Sequence, residues 1–320
     1  MAGTTASGRD AYFDAPLTNV TIAAFAKTAE QQGYIAQDIF PSVPATRQSG
    51  KYWVVDTDSW LRVPDTRRAP KTRPNRVDFK VSSDAYFADN YALASELAKE
   101  DLANADGALQ LRENSAQVAL SGLLQDLEMR VANIVTSSTN VGSGVTVGSK
   151  WSDLTNSNPL VDITTAHAFI RSQTGLVANT LIMDEDTFQT LRRHSKILEL
   201  YKYTSGGLLN DDQIAAAMGV QRILHGRAIK NNALEGPVGS LTNVWGNNAL
   251  LAYVAPSVGM QTATLGLQIV WRPEGIPAPF QVFRYDDPDP GKKIEVVEVG
   301  YYSDEKIVAK NLGYLMVAPR

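Results

Sequence analysis

At 320 residues the chain is longer than a single hydrophobic core usually supports, so two lobes, or one lobe with extensions, are expected. Its 44% apolar content excludes wholesale disorder, and a formal net charge of -4 argues against a generally basic nucleic-acid binder. With no cysteine, disulfides, thiolate catalysis and the common zinc sites are excluded together; with no run of eighteen apolar residues and no charged-then-apolar leader, the expectation is a soluble intracellular protein with no membrane segment.

The first residues, "MAGTTASGRDAYFDAP", are small and polar and read as a mobile or externally anchored tail. Next, Thr18 or Asn19 is expected to cap a short helix with Ile22, Phe25, Ala26 and Ala29 at helical spacing. Gly33 and the pair Pro41 and Pro44 stop it and lead into an extended arm. "KYWVVDTDSWLRV" from 51 is aromatic and β-branched and predicts a strand; "VDFKVSSDAYFADNYALASEL" from 77 predicts another. Between them lies "DTRRAPKTRPNRVDFK", whose six cations outnumber its two carboxylates by four. The remainder of the chain therefore carries eight excess negative charges. Pro70 and Pro74 exclude a helix there, so two strands flanking a basic tip predict a long hairpin-like loop.

Between Asp101 and Ser138, Leu109, Ala116, Leu120, Leu123, Leu124, Leu127, Val131, Ile134 and Val135 recur at three- and four-residue steps. The spacing predicts one amphipathic spine of about 30 residues, roughly 45 Å long, with Leu120, Leu127, Val131 and Ile134 on its core face. "TSSTNVGSGVTVGSKWSDLTNSNP" reads as a flexible connector closed by Pro159. From 160 to about 260, helical and strand patterns alternate. Asp162 is expected to cap "ITTAHAFIRSQTG", "NTLIMD" is a short buried strand, "EDTFQTLRRH" and "DDQIAAAMG" are helices, and "VQRILHGRAI" and "NALLAYVAP" are strands. "LGLQIVWR", "FQVFRYD", "KIEVVEVGYY" and "EKIVAKNLGYLMVAP" then imply a β-rich second lobe, with "DDPDPGK" as a turn.

Chemistry is thinly supported. "GSGVTVGSK" lacks the spacing and the strand-to-helix junction of a phosphate loop. His167, His194 and His225 lie far apart, with no metal-ligand pattern around them. The carboxylates of "MDEDTF" suit a helix start, those of "DDPDPG" suit a turn better than a calcium loop, and no nucleophile elbow is present. The reading is of a protein that is not an enzyme and needs no cofactor and no metal. The basic loop contains no aromatic residue between 65 and 78, which speaks against single-strand nucleic-acid binding. A solvated excursion is the plain alternative. A clasp in which Arg62, Arg67, Arg68, Lys71, Arg73 and Arg76 meet a neighbouring subunit's acidic face fits the composition better.

This α+β element order resembles the major capsid proteins of tailed bacteriophages, the Hong Kong 97 type of fold. The resemblance spans the chain and is sharpened by "IAQDIFPSVP" leading to "GKYWVVDTDSWLR", by "NTLIMDEDTFQTLRRHSKILE" and by "YYSDEKIVAKNLGYLMVAP". It implies an N-terminal arm at 1–46, an extended loop at 47–82, a peripheral domain with the spine helix at 83–160 and 262–304, and an axial domain at 161–261 and 305–320. It further implies a homo-oligomer of hexamers and pentamers forming an icosahedral shell around double-stranded DNA, which is loosely contacted cargo. A portal, a separate scaffold protein (because the arm starts within about fifteen residues, too soon for a built-in scaffolding segment) and an optional decoration protein are the implied partners. The implied location is the virion, with the host cytoplasm before assembly. No motif for covalent cross-linking between subunits is matched. The alternatives are an encapsulin-like nanocompartment shell and a monomeric α/β enzyme built on the 160–260 lobe.

Overall fold

A computed structural model describes residues 12–54, 63, 65–68, 70–74, 76, 82–104, 110–202, 209–233, 239–259, 262–273, 280–289 and 291–320. In chain order these form strand β1 (Tyr12–Phe13), the arm helix Ala15–Gln32, a helical turn Ala36–Ile39, β2 (Ser42–Ala45), β3 (Ser49–Val54), β4 (Ser82–Phe87), β5 (Asp89–Ala98), a short helix Lys99–Asn104 and the spine helix Leu111–Val135. There follow β6 (Ser143–Thr146), helix Pro159–Thr174, β7 (Thr180–Asp184), helices Glu185–Arg192, Ser195–Tyr201 and Asp211–Met218, β8 (Arg222–Gly226), β9 (Ile229–Asn231), β10 (Leu241–Asn243) and β11 (Asn248–Ala252). The last elements are β12 (Gly266–Trp271), β13 (Gln281–Asp286), the 14-residue β14 (Ile294–Ile307), a 3-10 turn Lys310–Leu312 and β15 (Gly313–Val317). Among the described residues no helix is long and apolar enough to cross a membrane.

Two sheets organise the molecule. The first runs β1-β13-β14-β12-β2, with β5 on the opposite side of β14. All its pairings are antiparallel except β12 with β2. The spine helix lies along one face of this sheet, where Leu120, Leu123 and Leu124 meet Val282, Val297, Val299 and Tyr301. The second sheet runs β6-β15-β11-β7-β8. Helices Pro159–Thr174, Glu185–Arg192, Ser195–Tyr201 and Asp211–Met218 contribute Ile163, Phe188, Ile197 and Ile214 to its core, beside Leu181 and Leu251. A third cluster, containing Ile39, Phe40, Val131, Val135, Trp245 and Leu315, joins the arm and the C-terminal half of the spine to this sheet.

Four local expectations are corrected. The spine is a 25-residue helix from Leu111, because Gln110 has a non-helical backbone (φ -74°, ψ 69°) and Lys99–Asn104 is a separate short helix; Leu109 lies outside the described residues. The arm helix starts at Ala15, not at Thr18 or Asn19, because the Asp14 carboxylate accepts the Leu17 N–H at 3.0 Å and Pro16 suits a first turn. Asp162 is inside its helix, whose first residue is Pro159, and it accepts the indole N–H of the fully buried Trp151 at 2.9 Å. The supposed connector contains β6, which pairs in parallel with β15 from Tyr314↔Ser143 to Val317↔Thr146. Gly175 and Gly219 end their helices in left-handed conformations, at φ +72° and +70°.

Leu120, Leu127 and Val131 are buried and Ile134 is half-buried against the junction cluster. Leu127→Ala is expected to lower stability by about 2 to 5 kcal/mol, measured by chemical denaturation, because the spine, β14 and the arm leave no room for the site to collapse. An unchanged midpoint and yield would place this face outside the core.

A projecting basic loop and the network beneath it

The extended loop rises from a two-stranded ribbon in which β3 and β4 pair from Ser49↔Phe87 to Val54↔Ser82. One face of the ribbon is fastened to the body. Tyr52 and Tyr86 are buried there with Val43, Ala45, Leu267, Ile269 and Val308. The Tyr52 hydroxyl lies 3.3 Å from Asp84 Oδ2 and 3.4 Å from the Ile307 carbonyl, and burial, then the Asp84 charge, push its pKa up to about 12. The Tyr86 hydroxyl donates to the Arg47 carbonyl at 3.2 Å. Glycine at position 50 lets the Tyr86 ring lie against the ribbon, since a Cβ there would sit 2.9 Å from that ring. Asp304 of β14 accepts the Phe87 N–H at 2.9 Å and ties the returning strand to the sheet.

The other face of the ribbon is open, with Trp53 38% and Phe87 54% exposed. Beyond it Arg67, Arg68, Lys71, Arg73 and Arg76 are all exposed, so the structure brings five of the sequence-predicted contact residues onto one projecting segment. Arg62 lies outside the described residues. Arg68 Nε donates to the Thr72 carbonyl at 2.6 Å, the Arg67 N–H to Asp65 at 3.0 Å, and Lys71 takes a positive φ of 65°, so the segment turns on itself locally. Arginine charge held away from a subunit's own core is available to another molecule.

Two ionic groups of the spine tie the body together. Arg130 of the spine donates through Nη1 to Glu305 at 2.5 Å, through Nη2 to the Tyr301 hydroxyl at 2.6 Å and through Nε to Asp126 at 2.9 Å, while its guanidinium stacks 3.6 Å from the Tyr91 ring centroid. Glu305 is buried, and desolvation raises its pKa against the opposing pull of Arg130. Two residues before Arg130 on the same helix, and next to Leu127, the carboxylate of Glu128 is fully buried. It accepts the Ile35 N–H at 3.1 Å, the Ala36 N–H at 2.8 Å and the Trp245 indole N–H at 2.7 Å, which joins arm, spine and second sheet at one side chain. Sequence reading passed over Glu128, Arg130 as a hub, Trp151 and Trp245. The available signal for Glu128 was its position on the stripe Leu124, Glu128, Val131, Val135, where a charge interrupts an apolar face.

The histidines have structural partners. Buried His194 caps helix Ser195–Tyr201 by accepting the Lys196 N–H on Nδ1 at 3.2 Å, so its proton resides on Nε2 and is directed to Ser157 Oγ at 2.8 Å. A ring nitrogen donating to a hydroxyl cannot also take its proton, so this pair is no nucleophile and base. His225 stacks on Phe188 with ring centroids 4.6 Å apart and bridges Glu185 at 2.5 Å and Asp211 at 3.2 Å, joining two helix starts. Among the described residues no group of three or more histidine and acidic side chains is placed to hold a metal ion.

His194 gives a pH prediction. Burial, then the Lys196 charge, hold its pKa below the ordinary value of 6.5. The unfolded chain then binds the proton first, so stability is full above pH about 6.5 and declines as pH falls toward the depressed folded value. Melting temperature should drop between about pH 7 and about pH 5, and drop less in His194→Asn, which keeps a capping acceptor without titrating. Equal slopes for the two proteins would exclude His194 as the cause.

No family model matches the chain. The chain is 28% identical over 227 residues to the major capsid protein of Pseudomonas phage JBD67, covering 68% of this chain and 71% of that one. It is 25% identical over 236 residues to the major capsid protein of Burkholderia phage BcepMu, covering 72% and 74%. A phage-related protein from Bordetella bronchiseptica RB50 superposes with a TM-score of 0.73 at 21% identity, over 97% of this chain and 98% of that one. The SrpI encapsulin of Synechococcus elongatus PCC 7942 superposes more weakly, at 0.51 and 11% identity over 88% and 89%. Arm, projecting loop, spine and two sheets thus compose the Hong Kong 97-type capsid fold. Both of these curated relatives are phage major capsid proteins.

Proposed function

We propose that the chain self-assembles, as a major capsid protein, into the icosahedral head shell that encloses the packaged double-stranded DNA of a tailed phage. It forms an oligomeric shell and is part of the virion. The observation that supports this reading most is the match to phage major capsid proteins over about two thirds of the chain, combined with a loop on which Arg67, Arg68, Lys71, Arg73 and Arg76 are exposed. In this reading 1–46 is the arm, 47–82 the brace that reaches a neighbour, 83–160 with 262–304 the peripheral domain, and 161–261 with 305–320 the axial domain clustered at the centre of each hexamer or pentamer. Residues 143–146 work with the axial domain, since β6 extends its sheet. A separate scaffold protein, a portal and an optional decoration protein complete the assembly, which starts in the host cytoplasm. Many modest contacts repeated across identical subunits give such a shell its stability.

The encapsulin reading predicts the same shell with protein cargo. Particles isolated from producing cells and treated with nuclease are expected to retain protected double-stranded DNA. Particles containing enzymes and no protected DNA would transfer the assignment to a nanocompartment.

A further inference from the structure

β5 is 10 residues long and pairs with β14 without a bulge, from Asp89↔Ser303 to Ala98↔Ile294; among the described residues no strand pairs with its other side. The Lys99 N–H donates to the Lys293 carbonyl at 3.0 Å and continues this register. Alternation along an antiparallel strand therefore turns the N–H and C=O groups of Asn90, Ala92, Ala94, Glu96 and Ala98 away from β14. Open backbone of this kind is a template for another strand, and sheets ordinarily blunt it with a lysine, a proline, a bulge or a covering segment. The other outer strands of the two sheets are blunted. β1 has 2 residues, β6 has 4, and β2 contains Pro44. The arm runs along β8, where the Arg227 N–H donates to the Gly33 carbonyl at 3.2 Å and Arg222 Nη2 to the Asp38 carbonyl at 2.9 Å. β5 has no cation and no proline from Asp89 to Ala98 and no charge from Asn90 to Ser95. Its central residues Ala92, Leu93 and Ala94 are exposed, Leu93 by 44%. Leu93 lies against Gly122 of the spine, where a Cβ would come within 2.8 Å of its Cδ1, and one turn earlier Val118 is 72% exposed, so the open edge has an apolar margin.

We infer that the outer edge of β5 pairs antiparallel with β5 of a second copy of the chain about a two-fold axis, so that the first sheet continues from one subunit into the next. The inference rests on the shell reading above and names a subunit contact separate from that of the basic loop. A two-fold between antiparallel strands sets one residue opposite its own twin. Centred on Ala94, the register sets Asp89 opposite Lys99 of the second copy, Tyr91 opposite Leu97, Ala92 opposite Glu96 and Leu93 opposite Ser95. An exposed carboxylate then meets a cation whose side chain is 47% exposed, and an aromatic ring meets a leucine. Centring the pair one residue earlier leaves Asp89 opposite Leu97, and centring it one residue later sets Glu96 diagonal to its own twin. Both copies would carry their spines on the same side of the joined sheet, with the margins formed by Leu93 and Val118 turned toward each other.

The test uses cross-linking and a proline. Because the chain has no cysteine, Leu93→Cys subunits and Ser95→Cys subunits carrying a different affinity tag can be mixed and oxidised. Disulfide-linked heterodimers are expected in the mixture, well in excess of homodimers from either variant alone, since the proposed register sets these two positions directly opposite each other. Heterodimers and homodimers in equal yield would report random collision and overturn the inference, as would no cross-link at all. The mixture is oxidised whether or not particles form, so cross-linking decides the edge contact while counting particles decides the shell reading. Ala94→Pro removes an N–H that faces away from β14, a place where a sheet edge tolerates proline. Its circular dichroism spectrum and melting temperature should match the wild type, and its shell yield should fall about tenfold or more. Normal shells from Ala94→Pro would overturn the contact and leave the shell reading standing. Loss of shells in Ala94→Pro without heterodimers in the cysteine mixture would assign the edge to a different partner and overturn self-pairing.

Discussion

Glu128→Ala is expected to lower subunit stability by about 3 to 5 kcal/mol, because it strands several buried N–H donors at once. The carboxylate is fully buried and its partners are all donors: the N–H groups of Ile35 and Ala36 and the indole of Trp245. Removing it leaves three donors without acceptors in a closed core, each at a cost of about 1 to 3 kcal/mol before relaxation. Burial raises the pKa of Glu128, and the three N–H groups oppose that shift. Glu128→Gln should fall between the two proteins, since an amide retains one acceptor oxygen but turns an NH2 toward N–H groups. Because the side chain joins the arm to the spine, residues before Ile35 should also become sensitive to limited proteolysis in Glu128→Ala. Denaturation curves that differ by less than about 1 kcal/mol would mean that water or a rearranged arm satisfies the donors.

Replacing Arg67, Arg68, Arg73 and Arg76 together with serine is expected to leave the subunit folded and to prevent normal assembly. The segment is exposed and adds little to its own core, so the circular dichroism spectrum and melting temperature should match the wild type. Assembly should suffer because opposite charges at a subunit boundary steer docking, and removing one side leaves carboxylates unpaired where the contact buries them. Ion pairs left at a solvated rim would instead be worth about 0 to 1 kcal/mol each and would weaken with salt. Shells of the wild type that persist in high salt, together with failure of the serine variant, would identify the buried case. Normal shell yield from the serine variant would reduce the loop to a solvated excursion.

What the sequence disclosed depended on how local each determinant is. The spine stripe from Ala116 to Val135, the caps at Gly175 and Gly219 and the basic loop are written in neighbouring residues, and each can be read from spacing or backbone demand. The start of the arm helix was misread because several capping residues stand close together, and only the Asp14 contact to Leu17 decides among them. β6 could not be read locally, since "SGVT" has weak strand character and becomes a strand by pairing with β15, about 170 residues later in the chain. Glu128 and Arg130 were hidden for the same reason. Their partners come from residues 35, 245, 301 and 305, and a helical wheel shows only a charge near an apolar face.

The most direct measurement of the central claim is electron microscopy of the purified wild-type chain, with and without co-expressed scaffold, across a range of concentration. The account predicts closed icosahedral shells whose hexamers and pentamers are built from this subunit alone, with the loop of each copy reaching the next. Monodisperse single subunits under every condition would contradict it.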